Sequence, residues 1–227
     1  LSGPVMTVAQ ATTQALLGRL RAESATAQIP AAEAAIVTSD LAKATAAQSS
    51  GDMATAYGLA VDGYSVLQRA LGAARTNASI AAGGVAAARD AMRADVAALR
   101  TRAAEVLRAG SDVASLNVVA QLNAPFALGW TTFADSVLAG IETGLADGSI
   151  TTAGYVVTGA AIAEQRASIE VFQPDALAMN RAAPNPNVQT VHPPAEFVSG
   201  YTEFLVRAAQ ANADYFRDVI SRNRISK

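Results

Sequence analysis

Cysteine is absent from this 227-residue chain, and that one absence removes disulfides, thiolate metal sites and cysteine nucleophiles together. Histidine is nearly absent too. His192, in "VHPP", is the only one, so no two-histidine metal site can form and any Ser-His-Asp triad would have to use it. With Pro193 and Pro194 directly behind it, it reads as a loop imidazole without a catalytic role. No Glu-x-x-His pair occurs, which argues against a carboxylate-bridged metal centre. "AAGGVAAARD" carries two adjacent glycines but neither the lysine nor the spacing of a phosphate-cradling loop, and reads as an interruption between helices. The expectation is a protein without catalytic machinery, metal or cofactor.

Excess charge is also missing. Seventeen basic and nineteen acidic residues leave a net charge of −2, which gives no electrostatic footprint for nucleic acid or an anionic membrane. Arg89, Arg93, Arg100, Arg102 and Arg108 could suggest a basic strip, but Asp90, Asp95 and Glu105 interleave with them. That pattern marks a solvated, salt-bridged face rather than a track for phosphates. Long apolar runs are lacking as well. Residues 116–133 are interrupted by Pro125 and two asparagines, and residues 150–163 are too few to cross a hydrocarbon core of ~30 Å. No membrane span is expected. The chain opens on leucine, as a processed product or an excerpt would. Its compartment is left undetermined, and an extracytoplasmic setting after signal removal is compatible with the composition.

What the chain has in abundance is alanine, 54 residues, against an aromatic content of 5%. Alanine is the best helix former, and its small side chain lets helices approach closely. The periodicity agrees. Val5, Val8, Leu16, Leu20 and Ala27 share a helical face up to Pro30. A second helix over "AAEAAIVTSDLAKATAAQ" ends at "SSG", where Gly51 fits a left-handed C-cap and Asp52 an N-cap for the next helix. That next helix, from about 53 to 75, places Tyr57, Ala60, Val61, Tyr64, Leu67 and Leu71 on one stripe. Val85, Ala88, Met92, Val96, Leu99, Ala103 and Val106 form a seam of coiled-coil type, which Gly110 is expected to end. A short helix from Ser111 or Asp112 to Pro125 should follow. Then come helices over about 126–146 and 150–172, the latter capped by Ser149.

The fold class read from this is all-α, an antiparallel bundle of about seven or eight helices over residues 1–173. Two hairpins, about 31–75 and 126–172, look like copies of each other. Residues 51–70 and 148–167 share Gly, Thr, Ala, Gln, Arg and Ala at a fixed offset of 97. Residues 174–194 hold five of the eight prolines and read as a linker or extended arm. Residues 195–227 read as an amphipathic C-terminal helix.

Two clusters are candidate sites. Phe126, Trp130, Phe133 and Tyr155 could line a pocket between helices, and the bare surface given by Gly129, Gly140, Gly144, Gly154 and Gly159 would leave room for an apolar guest. Phe197, Tyr201, Leu205 and Tyr215 on the last helix could serve assembly. The function expected is non-catalytic binding of a protein or an apolar small molecule. The alternative is a self-assembling structural subunit, such as a coat, filament or granule-surface protein, joined through its arm and last helix.

Overall fold

The computed structural model describes residues 4–114, 129–147 and 150–181. Among the described residues all regular structure is helical, with five helices packed against a long central one and no strand. The helices are α1 (Pro4–Thr26), α2 (Ala31–Ser49), α3 (Met53–Ala114), α4 (Gly129–Asp147), α5 (Thr152–Ala167) and α6 (Gln173–Arg181). The expected short helix before Pro125 and the C-terminal helix lie outside the described residues, apart from residues 111–114, which continue α3. Gly110 therefore does not end its helix. A glycine in a helix interior is tolerated at a cost of about 1 kcal/mol.

The turn between α2 and α3 has the geometry its sequence calls for. Gly51 takes φ +86°, the left-handed conformation that favours glycine. Its N–H donates to the Gln48 carbonyl, and the Asp52 N–H donates to the Ala47 carbonyl at 2.9 Å, which satisfies two of the carbonyls a helix end leaves open. Asp52 Oδ1 then accepts the N–H of Thr55 at 3.1 Å and caps α3. The result is an antiparallel hairpin. A Cβ on Gly63, twelve residues after the turn, would meet the Cβ of Asp40, eleven before it, at 3.2 Å.

Residue Gly84 divides α3 into two arms. Its φ of +77° and ψ of 174° are not helical, so the chain changes direction there, between an arm of residues 53–83 and an arm of residues 85–114. Each arm carries its own core. Tyr57, Ala60, Val61, Tyr64 and Leu67 of the first arm pack with Leu16, Leu17 and Leu20 of α1 and Val37 and Ala44 of α2. Met92, Val96, Leu99, Ala103 and Val106 of the second arm pack with Ala134, Val137, Leu138, Ile141 and Leu145 of α4. Arg100 reinforces the second arrangement by bridging to Asp135 at 3.1 Å and to Glu142.

Helix α5 joins the two cores. Tyr155 and Ile162 face the core of the second arm and Ala167 that of the first, and beyond its end Ile169 and Phe172 divide between the two cores in the same way. Between α5 and α6 the helix widens into a π turn over Ser168–Phe172, where the Gln173 N–H bonds five residues back to the Ser168 carbonyl. The widening ends two residues before Pro174, which has no N–H to continue the regular ladder. Gln173, fully buried, uses its Oε1 to accept the N–H of Thr131 at 2.9 Å, so α6 satisfies an open donor in the first turn of α4.

The second half does not copy the first in register. The N-cap of α5 is Thr151, whose Oγ1 accepts the Gly154 N–H at 3.1 Å, so the two caps stand 151 − 52 = 99 residues apart rather than 97. Ser149, the cap expected from the sequence, lies outside the described residues. Nor do α4 and α5 embrace as α2 and α3 do, because α5 packs chiefly on α3.

Candidate functional site

Close approach of α5 to the first arm of α3 sets the geometry of the site. A Cβ on Gly72 would stand 2.6 Å from both the Gly159 carbonyl oxygen and the Ala163 Cβ. One on Gly159 would stand 1.9 Å from Thr76 Oγ1. Only glycine fits at either position. Thr76, itself buried, donates its hydroxyl to the Gly72 carbonyl at 3.0 Å, so the oxygen it sets against Gly159 brings no free donor to the crossing.

Bent at Gly84, α3 brings its second arm to the same face of α5. The Met92 Cε lies 3.2 Å from where a Gly159 Cβ would be. Between the two arms and α5 lies a groove of about 670 Å3, within the range of small-molecule sites. The second arm contributes Ala88, Ala91, Ala94 and Ala98, at helical spacing along one stripe. Ala91, Ala94 and Ala98 are exposed, so the groove opens to solvent along this wall. From α5 come Gly159, Ile162 and Ala163. The lining is apolar and short in reach, with three charged residues at its edge, Arg75, Asp95 and Arg166.

Two of these charges are already committed. Arg166 pairs with Asp95 across the groove and with Glu170 at 3.3 Å one turn along its own helix. Arg75 is exposed and has no carboxylate within ion-pair distance among the described residues. Ser79, one turn further on the same face, is half-buried and makes no hydrogen bond among the described residues. The edge formed by the first arm thus offers a cation and a hydroxyl without partners among the described residues.

Beside the groove, on the same α3–α5 crossing, Glu164 is buried with Arg69 Nε at 3.8 Å from its Oε2. Burial raises its pKa to about 7, against the lowering effect of Arg69, and Asp62 adds to the rise. Glu164 is not in the groove lining. Glu23, a carboxylate that appears isolated in the sequence, ties α1 to α3 by accepting from Tyr64 Oη at 2.9 Å and Gln68 Nε2 at 2.7 Å.

The aromatic residues expected to line a pocket are separated. Trp130 is buried against Phe172 with ring centroids 5.1 Å apart, and Phe172 meets the edge of Tyr64 at 5.9 Å, within the core of the first arm. Phe133 and Tyr155 belong to the core of the second arm. None of the three lines the groove, and Phe126 lies outside the described residues, as do Phe197, Tyr201, Leu205 and Tyr215. The aromatic partner that sequence periodicity missed is Phe172, one residue before Gln173, placed by the π turn. The glycine signal was informative in a different sense: Gly159 permits a close helix crossing at the edge of the groove instead of leaving empty space.

Among the described residues no group of three or more metal-ligating side chains converges, and no helix is long and apolar enough to cross a membrane. No family model matches the sequence, and no curated protein or solved structure matches it either.

Proposed function

We propose that this protein acts by non-catalytic binding of a small molecule with an apolar body, seated between the two arms of α3 and α5. The observation that supports this reading is the groove itself, about 670 Å3 in volume and walled largely by alanine, glycine, methionine and isoleucine. An apolar guest covering that wall gains roughly 25 cal/mol for each Å2 it removes from water. The helices that form the groove are anchored by the two cores, so little ordering of the protein is needed on binding, which favours affinity.

Fluorescence titration with phenyl-naphthylamine, an uncharged dye that brightens in apolar surroundings, tests the reading. Wild-type protein should bind it saturably. Ala94→Trp, which puts an indole into the groove from an exposed position, should abolish binding while leaving the helical circular dichroism unchanged. Equal binding by the two proteins would refute the proposed site.

A further inference from the structure

We infer that the groove takes an amphipathic organic anion, with the acidic group held at Arg75 and Ser79 and the apolar body lying along the alanine stripe. The inference rests on the binding function proposed above and adds the chemistry of the head group. Its basis is the distribution of charge at the edge of the groove. Asp95 is paired with Arg166, and Arg166 is shared further with Glu170, so neither is available to a ligand without breaking an existing pair. Arg75 has no such partner among the described residues. The three charged residues in the lining therefore leave one positive charge over, on the first arm. A neutral ligand would leave that charge unused, and a cation would be repelled by it.

Geometry adds to the charge argument. Arg75 and Ser79 stand four residues apart, so they project from one face of the first arm about one helical turn from each other. A guanidinium presents a planar fork of N–H donors suited to a carboxylate, sulfonate or phosphate, and a neighbouring hydroxyl can donate a further hydrogen bond. Across the groove, Ala91, Ala94 and Ala98 offer no polar side-chain atom. A ligand with acid at one end and hydrocarbon at the other satisfies both walls together. Thr76 lies between the two polar residues, but its hydroxyl is occupied with the Gly72 carbonyl.

The test compares two dyes of the same aromatic body, anilinonaphthalene sulfonate, which carries one negative charge, and uncharged phenyl-naphthylamine. Wild-type protein should bind the sulfonate more tightly than the neutral dye, and added salt should narrow the difference. Arg75→Gln should weaken sulfonate binding about fivefold and leave the neutral dye within about twofold, as expected for one solvent-accessible charge contact. Ser79→Ala should weaken the sulfonate by a smaller factor. Equal affinity of wild-type protein for both dyes, or sulfonate binding indifferent to Arg75→Gln, overturns the anion assignment and leaves the groove function standing. Failure of both dyes to bind, or binding of both that survives Ala94→Trp, overturns the groove function and the anion assignment with it. Arg75 is exposed, so its replacement leaves the fold intact, which circular dichroism checks.

Discussion

Glu164 is the residue at which stability and pH meet. Folding moves its carboxyl from solvent to a buried crossing and raises its pKa to about 7, so between its ordinary value and about 7 the folded state binds more protons than the unfolded one. Stability must then fall as pH rises through that window and level off above it. Asp175, raised by burial to about 6 against the opposing Arg19, adds a slope of the same sign. Glu164→Gln keeps the shape and removes the charge. It should stabilise the protein by ~2 kcal/mol at pH 8, have little effect at pH 4, and flatten the profile between them, read by urea denaturation. The two glycines at the crossing give a steric counterpart. Gly159→Val would drive a side chain into Thr76, and a loss of ~3 kcal/mol or more is expected in the same assay. Neither effect is visible in the sequence, because both arise from residues eighty or more positions apart, Gly72 with Gly159 and Arg69 with Glu164.

At the scale of elements the sequence is far more legible, since caps and stripes are local. The Gly51-Asp52 turn, the stripe of the first arm and the seam from Val85 to Val106 stand where periodicity and capping chemistry place them, with Leu71 and Val85 half-buried at their ends and the other residues buried. Two boundaries differ from those expectations. Gly110 is carried through a helix, and the cap of α5 falls on Thr151, where the hydroxyl reaches the Gly154 N–H. The glycine interruption near residue 84 was readable as a break, but its left-handed φ, which bends α3 and opens the groove, was not. Glycine substitutions separate backbone from packing here. A Cβ at Gly18, Gly51 or Gly84 would meet no atom within 4 Å, so only conformation distinguishes them. Gly18→Ala, in regular helix, should stabilise by ~0.5–1 kcal/mol, whereas Gly51→Ala and Gly84→Ala, at positive φ, should each destabilise by ~1 kcal/mol or more. Thermal melts of the three variants give the comparison.

For the molecule as a whole, the decisive feature is that the two cores share helices. Helix α5 supplies Tyr155, Ala161 and Ile162 to one and Ala167 to the other, and α4 supplies Ala134 and Leu138 to one and Trp130 to the other, so the loss of either core should be felt in both. Leu20→Ala and Leu99→Ala remove fully buried or nearly fully buried side chains from opposite cores, and each should cost ~2–5 kcal/mol. Trp130 fluorescence reports the core of the first arm, and far-ultraviolet circular dichroism reports all helices. In both variants the two signals should move together to the same lower midpoint, and separate transitions would mean that the halves unfold independently. The candidate site belongs to this scale, which is why so little of it was legible. Its walls come from residues 72–79, 88–98 and 159–166, and alanines carry no sequence mark that says which of them face a groove. Aromatic residues attract attention as pocket formers, yet Trp130 fills a core. The measurement that reaches the central claim most directly is a two-dimensional amide NMR titration of the isotopically labelled chain with phenyl-naphthylamine. Saturable shifts confined to Ala91, Ala94, Ala98, Gly159 and Ala163 are the predicted result, and shifts centred on Trp130 and Phe172, or none at all, would contradict it.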